Sequence, residues 1–189
     1  MSNLITKTTE LAMALTLTYV RSGDTVVDAT CGTGQDTAAL ARAVGETGKV
    51  YAFDIQKKAL LLTEAKLRSH GYRNVHLMMK SFVSMSSLIP EGSASAVVFN
   101  LGYLPGGDHG ITTTADETLM GLKAALKTVS IGGIVTVVLY DGHEEGVSEK
   151  VQVLRWAEQL DTKKYHAAYV NMINQKNSPP EILWITRKI

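Results

Sequence analysis

Several things are scarce in this 189-residue chain, and each absence excludes something. There is one cysteine, Cys31, so no disulfide can form within the chain, and a lone thiol fits a reducing cytosol. No apolar run approaches the roughly 18 residues that would span a bilayer. Met1–Thr9 lacks the basic-then-apolar build of a secretory signal. The 19 Lys+Arg against 18 Asp+Glu leave a net charge of +1, which argues against a strongly electrostatic nucleic-acid clamp but leaves room for a local basic face. Internal repeats, low-complexity tracts and interdomain linkers are also missing. What remains is 45% hydrophobic and 20% charged, a globular composition that excludes disordered and collagen-like chains. The length suits one domain, since domains run to about 100–200 residues. The expectation is a single cytoplasmic domain over residues 1–189, with no membrane partner.

Two apolar periods alternate along the chain. Short β-rich runs occur at Thr25–Asp28, Lys49–Asp54, Asn74–Met78, Ala94–Asn100 and Ile134–Tyr140. Paired β-branched residues such as Val26-Val27 and Val97-Val98 mark strands buried on both faces. Between them lie helical stripes. Leu60, Leu61, Ala65 and Leu67 give one to Gln56–His70; Leu119, Leu122, Leu126 and Val129 give another after Asp116, where Thr114 and Glu117 form a capping-box pattern. Val147, Val151, Leu154, Ala157 and Leu160 predict a third, and a leading helix is expected over residues 5–20. Such alternation implies a parallel sheet with helices on both faces. Tyr165–Ile173 and Glu181–Arg187 have only the turn formers of Asn174–Pro180 between them, so they predict an antiparallel pair at one edge.

The most informative stretch is Val26-Val27-Asp28-Ala29-Thr30-Cys31-Gly32-Thr33-Gly34-Gln35-Asp36-Thr37. A strand ends in a carboxylate, a glycine turn follows, and a helix begins near Gln35. In open α/β sheets ligands bind beyond the carboxyl ends of the strands, where glycine lets backbone come close and the helix start offers free N–H groups. Taken alone, this is also an ordinary tight βα turn. Asp54 closes the second strand 22 residues after Gly32, the offset of a carboxylate that accepts hydrogen bonds from ribose hydroxyls; its other reading is an N-cap for the next helix. A dinucleotide site requires a third glycine where Thr37 stands, and Asp28 would set negative charge beside a pyrophosphate. A carboxylate there is better matched to the cationic end of S-adenosylmethionine, directly or through water.

This segment resembles motif I of class I S-adenosylmethionine-dependent methyltransferases, with Asp54 matching their ribose-binding acid. The usual motif is Asp-x-Gly-x-Gly-x-Gly, and Thr30 replaces its first glycine. Gly132-Gly133 resembles the turn that precedes the fifth strand in that superfamily. The resemblance implies a Rossmann-like α/β fold with a seven-stranded, mostly parallel sheet that an antiparallel terminal strand pair completes. A tighter likeness adds Asn100-Leu101-Gly102-Tyr103-Leu104-Pro105-Gly106-Gly107-Asp108, Tyr140-Asp141-Gly142-His143 and Asn174-Gln175-Lys176-Asn177-Ser178-Pro179-Pro180. In this order the segments resemble a small bacterial family labelled rRNA methylases, which commonly has Asn-Gly-His where this chain has Thr33-Gly34-Gln35. The family's activity is methylation of the aminomethyl group of 5-aminomethyl-2-thiouridine at the tRNA wobble position, which implies a tRNA partner bound through its anticodon region, and a homodimer. By the resemblance the cofactor-binding set is Asp28, Thr30, Gly32, Thr33, Gly34, Gln35, Asp36, Thr37, Asp54, Gln56, Ser81, Phe82 and Asn100.

Asn100 ends the fourth strand, where amino-group methyltransferases often carry Asn-Pro-Pro-aromatic; Asn100-Leu101-Gly102-Tyr103 keeps the two ends without the prolines. In that likeness the Asn oxygen accepts an amine hydrogen and the aromatic packs on the base. The expected catalytic set is Asn100, Tyr103, Asp108 and His143, with Tyr140 and His109 as further candidates on the substrate side. His143 has two readings, a proton acceptor or a loop residue bonded to backbone. An alkylammonium has no lone pair, and an amine near the lysine value of about 10.4 is mostly protonated at neutral pH. Desolvation and hydrogen-bond acceptors would present the neutral form. No metal is expected, since the five histidines lack metal-site spacing. Cys31 is expected to be a small buried filler. The competing functions are a methyltransferase for a small amine, favoured by the near-neutral charge, a methyltransferase for rRNA, and a nucleoside-binding module without catalysis.

Overall fold

The computed structural model describes residues 7–102, 113–140, 144–176 and 178–189. Seven strands run through it: β1 (Thr25–Asp28), β2 (Lys49–Asp54), β3 (Val75–Met79), β4 (Ala94–Asn100), β5 (Val129–Leu139), β6 (Tyr165–Val170) and β7 (Glu181–Arg187). They form one sheet in the order β3-β2-β1-β4-β5-β7-β6. The first five are parallel, whereas β7 runs antiparallel to both β5 and β6. The reversal of strand order between β1 and β4 puts the ends of those strands side by side, the crevice where open α/β sheets bind ligands.

The helices are α1 (Thr8–Thr18), α2 (Gln35–Val44), α3 (Lys57–His70), the short α4 (Met85–Leu88), α5 (Ala115–Thr128) and α6 (Glu144–Glu158). Side-chain alternation explains how they are shared out. Val26, Ala96, Val98 and Ile134 point to one face and pack with α1, α2 and α3. Val27, Val97, Phe99, Val135 and Val137 point to the other and pack with α4, α5 and α6. Central strands covered on both sides must be apolar at nearly every position, as the adjacent valines are. Full burial of Phe99 alone contributes about 1.5–3 kcal/mol. No helix among the described residues is long and apolar enough to cross a membrane.

The structure moves several boundaries and two helical faces from their expected places. Strand β3 starts and ends one residue later, β6 stops at Val170, and the described part of the leading helix is α1, Thr8–Thr18. Gly132-Gly133 does not precede the fifth strand: β5 begins at Val129, and the pair lies within a register shift against β4. There a side chain on Gly133 would sit 2.8 Å from the Ser95 carbonyl oxygen. Helix α3 turns Ala59, Thr63 and Leu67 inward, while Leu61 is 55% exposed. Helix α6 turns Glu149, Val153 and Ala157 inward, and Val147 and Val151 face solvent. In both helices a polar residue takes the buried side because it has a partner there. The Thr63 hydroxyl donates to the Gly32 carbonyl at 3.1 Å, and the Glu149 carboxylate accepts from Thr118 at 2.6 Å. The capping box forms by half: Thr114 accepts from the Glu117 N–H at 3.3 Å, but the Glu117 carboxylate accepts from Ser81 at 2.6 Å. A 3-10 turn, Phe82–Ser84, and α4 fill the β3–β4 connection, which carries no clear period in the sequence.

Candidate active site

The site stands at the carboxyl ends of β1, β2, β4 and β5. Its floor is the loop from Asp28 to Gly34. Gly34 holds φ at +77°, and a side chain there would come within 2.9 Å of the Thr63 backbone. Only glycine satisfies both the left-handed turn and the close approach. The loop closes through the Gly34 N–H to the Cys31 carbonyl, 2.7 Å, and the Cys31 N–H to the Phe53 carbonyl, 2.9 Å.

Asp28 anchors this loop from within. It is fully buried, accepting from the Thr37 hydroxyl at 2.5 Å and the Thr30 N–H at 3.2 Å. Burial pushes its carboxyl up to about 7, the Asp36 charge adds to the rise, and the bonds from Thr37 and Thr30 oppose it. That burial closes one of the two routes expected from sequence, direct contact of Asp28 with a ligand cation. Thr30, which stands in place of the motif's first glycine, accepts the Asn100 N–H at 2.7 Å. The departure from the motif therefore serves as a tie between β1 and β4. Burial pushes the Cys31 thiol up, with the Asp28 charge adding, which keeps it protonated and unsuited to nucleophilic attack.

Asp54 does not cap α3; the N-cap residue is Gln56. Its carboxylate accepts from the Gly32 N–H at 3.1 Å and the Gln56 N–H at 2.9 Å. Burial raises its carboxyl above the ordinary value against the pull of these bonds. A carboxylate has about four lone-pair positions, so acceptor capacity remains. Beside it, Ile55 is 53% exposed and Met79, its register neighbour's side chain at the end of β3, is 62% exposed. An acceptor flanked by bare apolar side chains fits a ligand with vicinal hydroxyls and a flat base. Neither Ile55 nor Met79 belongs to the expected set; the signal that would have found them is an exposed apolar residue at a strand end. Thr33 in the same loop is half-buried, and Gln35, the first residue of α2, is exposed. The Ser81 hydroxyl spends its proton on Glu117, so it can offer a ligand only an acceptor, and the Phe82 ring is buried edge-on against Phe99, 5.5 Å between centroids.

Across the crevice, the Asn100 amide nitrogen donates to Asp36. The Asn100 Oδ1 is buried without a hydrogen-bond partner among the described residues. Burial raises the Asp36 carboxyl, and the Asn100 bond opposes that rise. Tyr140, just beyond β5, has its phenol raised by burial and by the Asp36 charge, and its ring lies about 4.0 Å from where a side chain on Gly102 would begin. Asp36, Asn100 and Tyr140 thus come together from three elements. Tyr103, Asp108, His109 and His143 lie outside the described residues.

This fold has counterparts among known proteins. A crystal structure of a putative rRNA-methylase from Clostridium thermocellum superposes with a TM-score of 0.93 at 41% identity, over 96% of this chain and 97% of that one. A putative methyltransferase from Streptococcus mutans, solved in complex with SAH, superposes at 0.86 with 32% identity, over 95% of this chain and 97% of that one. The fold and site define an S-adenosylmethionine-dependent methyltransferase. The chain matches the family described as Putative rRNA methylase over residues 50–186, and it belongs to that family. A second description, protein-L-isoaspartate(D-aspartate) O-methyltransferase, matches residues 1–81 alone. Among curated proteins, the chloroplastic tRNA (mnm(5)s(2)U34)-methyltransferase of Arabidopsis thaliana is 36% identical over 192 residues, 96% of this chain and 70% of that protein.

Proposed function

We propose that this enzyme methylates the exocyclic amine of 5-aminomethyl-2-thiouridine at the tRNA wobble position, giving 5-methylaminomethyl-2-thiouridine. The observation that carries the reading is the bare, buried Oδ1 of Asn100 at the switch point of the sheet. An unpaired buried acceptor costs about 1–3 kcal/mol, and an amine N–H offers it a partner. The likeness to a relative named for that wobble nucleoside supports the choice of amine.

In this reading the loop from Gly32 to Gln35 and the Asp54 carboxylate would hold the cofactor, and the exposed Ile55 and Met79 would offer apolar surface to it. When bound, S-adenosylmethionine supplies an electrophilic methyl on a sulfonium sulfur. Asn100 would accept a hydrogen from the amine and so hold the nitrogen with its lone pair turned away from the amide. Desolvation of the amine in the crevice would favour its neutral form, against the pull of the nearby Asp36 carboxylate toward the ammonium. Placement in line then does most of the catalytic work. The proton lost after transfer passes to water or to one of Tyr103, Asp108 and His143, the side chains that the resemblance assigns to the substrate side. Cytoplasmic action of the whole chain as one catalytic unit, as a homodimer on the anticodon region, completes the proposal.

The test is transfer of labelled methyl to tRNA carrying 5-aminomethyl-2-thiouridine, with rRNA and small amines as competing acceptors. Label appearing in 5-methylaminomethyl-2-thiouridine by mass spectrometry is the expected result. Label in rRNA or in the amine pool alone would overturn the substrate. Asn100→Ala should lower the single-turnover rate at least tenfold, about 1.4 kcal/mol of transition-state stabilisation, with SAH affinity unchanged.

A further inference from the structure

We infer that Asp36 is a positioning residue, one that sets which end of the Asn100 amide faces the acceptor amine. The inference rests on the proposed role of Asn100. An amide has a donor end and an acceptor end of nearly equal size, and only the acceptor end can take an amine hydrogen. The side chain alone does not choose between them. Asp36 does: an ionised carboxylate can only accept, so it takes the Asn100 Nδ2 and leaves Oδ1 bare.

The parts around this bond hold it in place. Asp36 lies in the first turn of α2, and its neighbour Thr37 is tied to the buried Asp28 at 2.5 Å. On the other side, the Asn100 N–H donates to Thr30 at 2.7 Å. Backbone and side chain of Asn100 are therefore both fixed from the glycine-loop side of the crevice. Cofactor platform and acceptor residue are joined by these two hydrogen bonds.

The experiment compares Asp36→Ala, Asp36→Asn, Asn100→Ala and the Asp36→Ala/Asn100→Ala double variant. Single-turnover methylation of tRNA carrying 5-aminomethyl-2-thiouridine is measured at saturating cofactor, with SAH affinity by calorimetry. If Asp36 acts through Asn100, Asp36→Ala slows transfer about tenfold with SAH affinity within threefold of the parent, and the double variant is no slower than Asn100→Ala, since coupled residues are not additive. Asp36→Asn, whose carbonyl can still accept, keeps more of the rate and covers the case in which the alanine variant fails to fold. Multiplying effects, or a tenfold loss of SAH affinity with the saturated rate intact, would overturn the inference and make Asp36 a cofactor ligand. A second readout needs no substrate. The side-chain amide protons of Asn100, identified in nitrogen-15 spectra by their loss in Asn100→Ala, should shift on Asp36→Ala. If the parent methylates none of this tRNA, the substrate reading fails while the amide signal still decides the orientation. An unmoved signal refutes the Asp36 bond itself.

Discussion

At the ends of β1 and β2 the polar groups are held within the protein, whereas at the end of β4 one is left bare. Asp28 and Asp54 each accept two hydrogen bonds from the protein, and Thr30 is tied to the neighbouring strand. Asn100 Oδ1 has no partner among the described residues. The difference separates two tasks. On the proposed reading, the cofactor is met by backbone conformation and a self-bonded frame, which one loop and one carboxylate can specify. On the same reading, the acceptor is met by a side chain whose hydrogen-bonding capacity is left for the substrate.

The largest expected effect comes from breaking the frame at its tightest point. Gly34→Ala forces a side chain into a left-handed residue, about 1–3 kcal/mol, and against the Thr63 backbone at 2.9 Å, where overpacking costs roughly another 1–3 kcal/mol. Denaturant melts should show that loss, and calorimetry should show SAH binding weakened at least tenfold. An equally stable variant with parental affinity would mean that the frame tolerates what its geometry forbids.

Next is the pH response of the frame. The Asp28 carboxyl is raised to about 7 in the folded protein from 3.8, so the folded state holds the proton more tightly than the unfolded one. Stability is then highest below the unfolded value and falls as pH rises, until the folded value is passed. The full span corresponds to about 4 kcal/mol, and raised Asp36 and Asp54 carboxyls push in the same direction. Melting of the ligand-free protein should weaken between pH 5 and pH 8, and Asp28→Asn should flatten most of that slope. A parental slope in Asp28→Asn would show that Asp28 does not carry it.

Asp54→Ala sharpens the comparison from the ligand's side. Each charge-assisted hydrogen bond lost to a ribose hydroxyl is worth roughly 1.5–3 kcal/mol. Because the carboxylate also holds the Gly32 and Gln56 N–H groups, Asp54→Asn is the companion variant: it keeps one acceptor oxygen and should lose less affinity. Unchanged SAH affinity in a folded Asp54→Ala protein would remove Asp54 from the cofactor site.

The same contrast explains what the amino-acid sequence made legible. Glycine spacing and a strand-end carboxylate are local, so Gly32, Gly34 and Asp54 could be read from the chain and stand together in the structure. Alternating valines revealed the doubly covered strands and hence the layered α/β order. Where buried polar residues carry the structure, periodicity misleads. Thr63 and Glu149 face inward because Gly32 and Thr118 wait for them across space, partners that no window of neighbouring residues contains. The bond from Asn100 to Asp36 spans 64 residues and has no local signature either. Ile55 and Met79 went unread because apolar residues at strand ends look like core until their exposure is known.

The smallest effect tests that explanation on α6, which packs with α5 on one face of the sheet. Hydrophobic spacing puts Val147 and Val151 on the buried stripe; the structure exposes them by 45% and 39% and buries Val153 completely. Val147→Ser should change stability by no more than about 0.5 kcal/mol, as ordinary surface substitutions do. Val153→Ala removes two buried methyl groups and should cost roughly 1.5–3 kcal/mol once the cavity is counted. Thr118→Val should fall between them: it keeps the volume but strips the Glu149 carboxylate of a hydrogen bond worth about 1.5–3 kcal/mol with a charged partner, partly offset by the added apolar methyl. Urea titrations of the three variants settle the phase of the helix. If Val147→Ser proves as costly as Val153→Ala, the apolar stripe packs inward after all, and the Glu149–Thr118 pair does not orient α6.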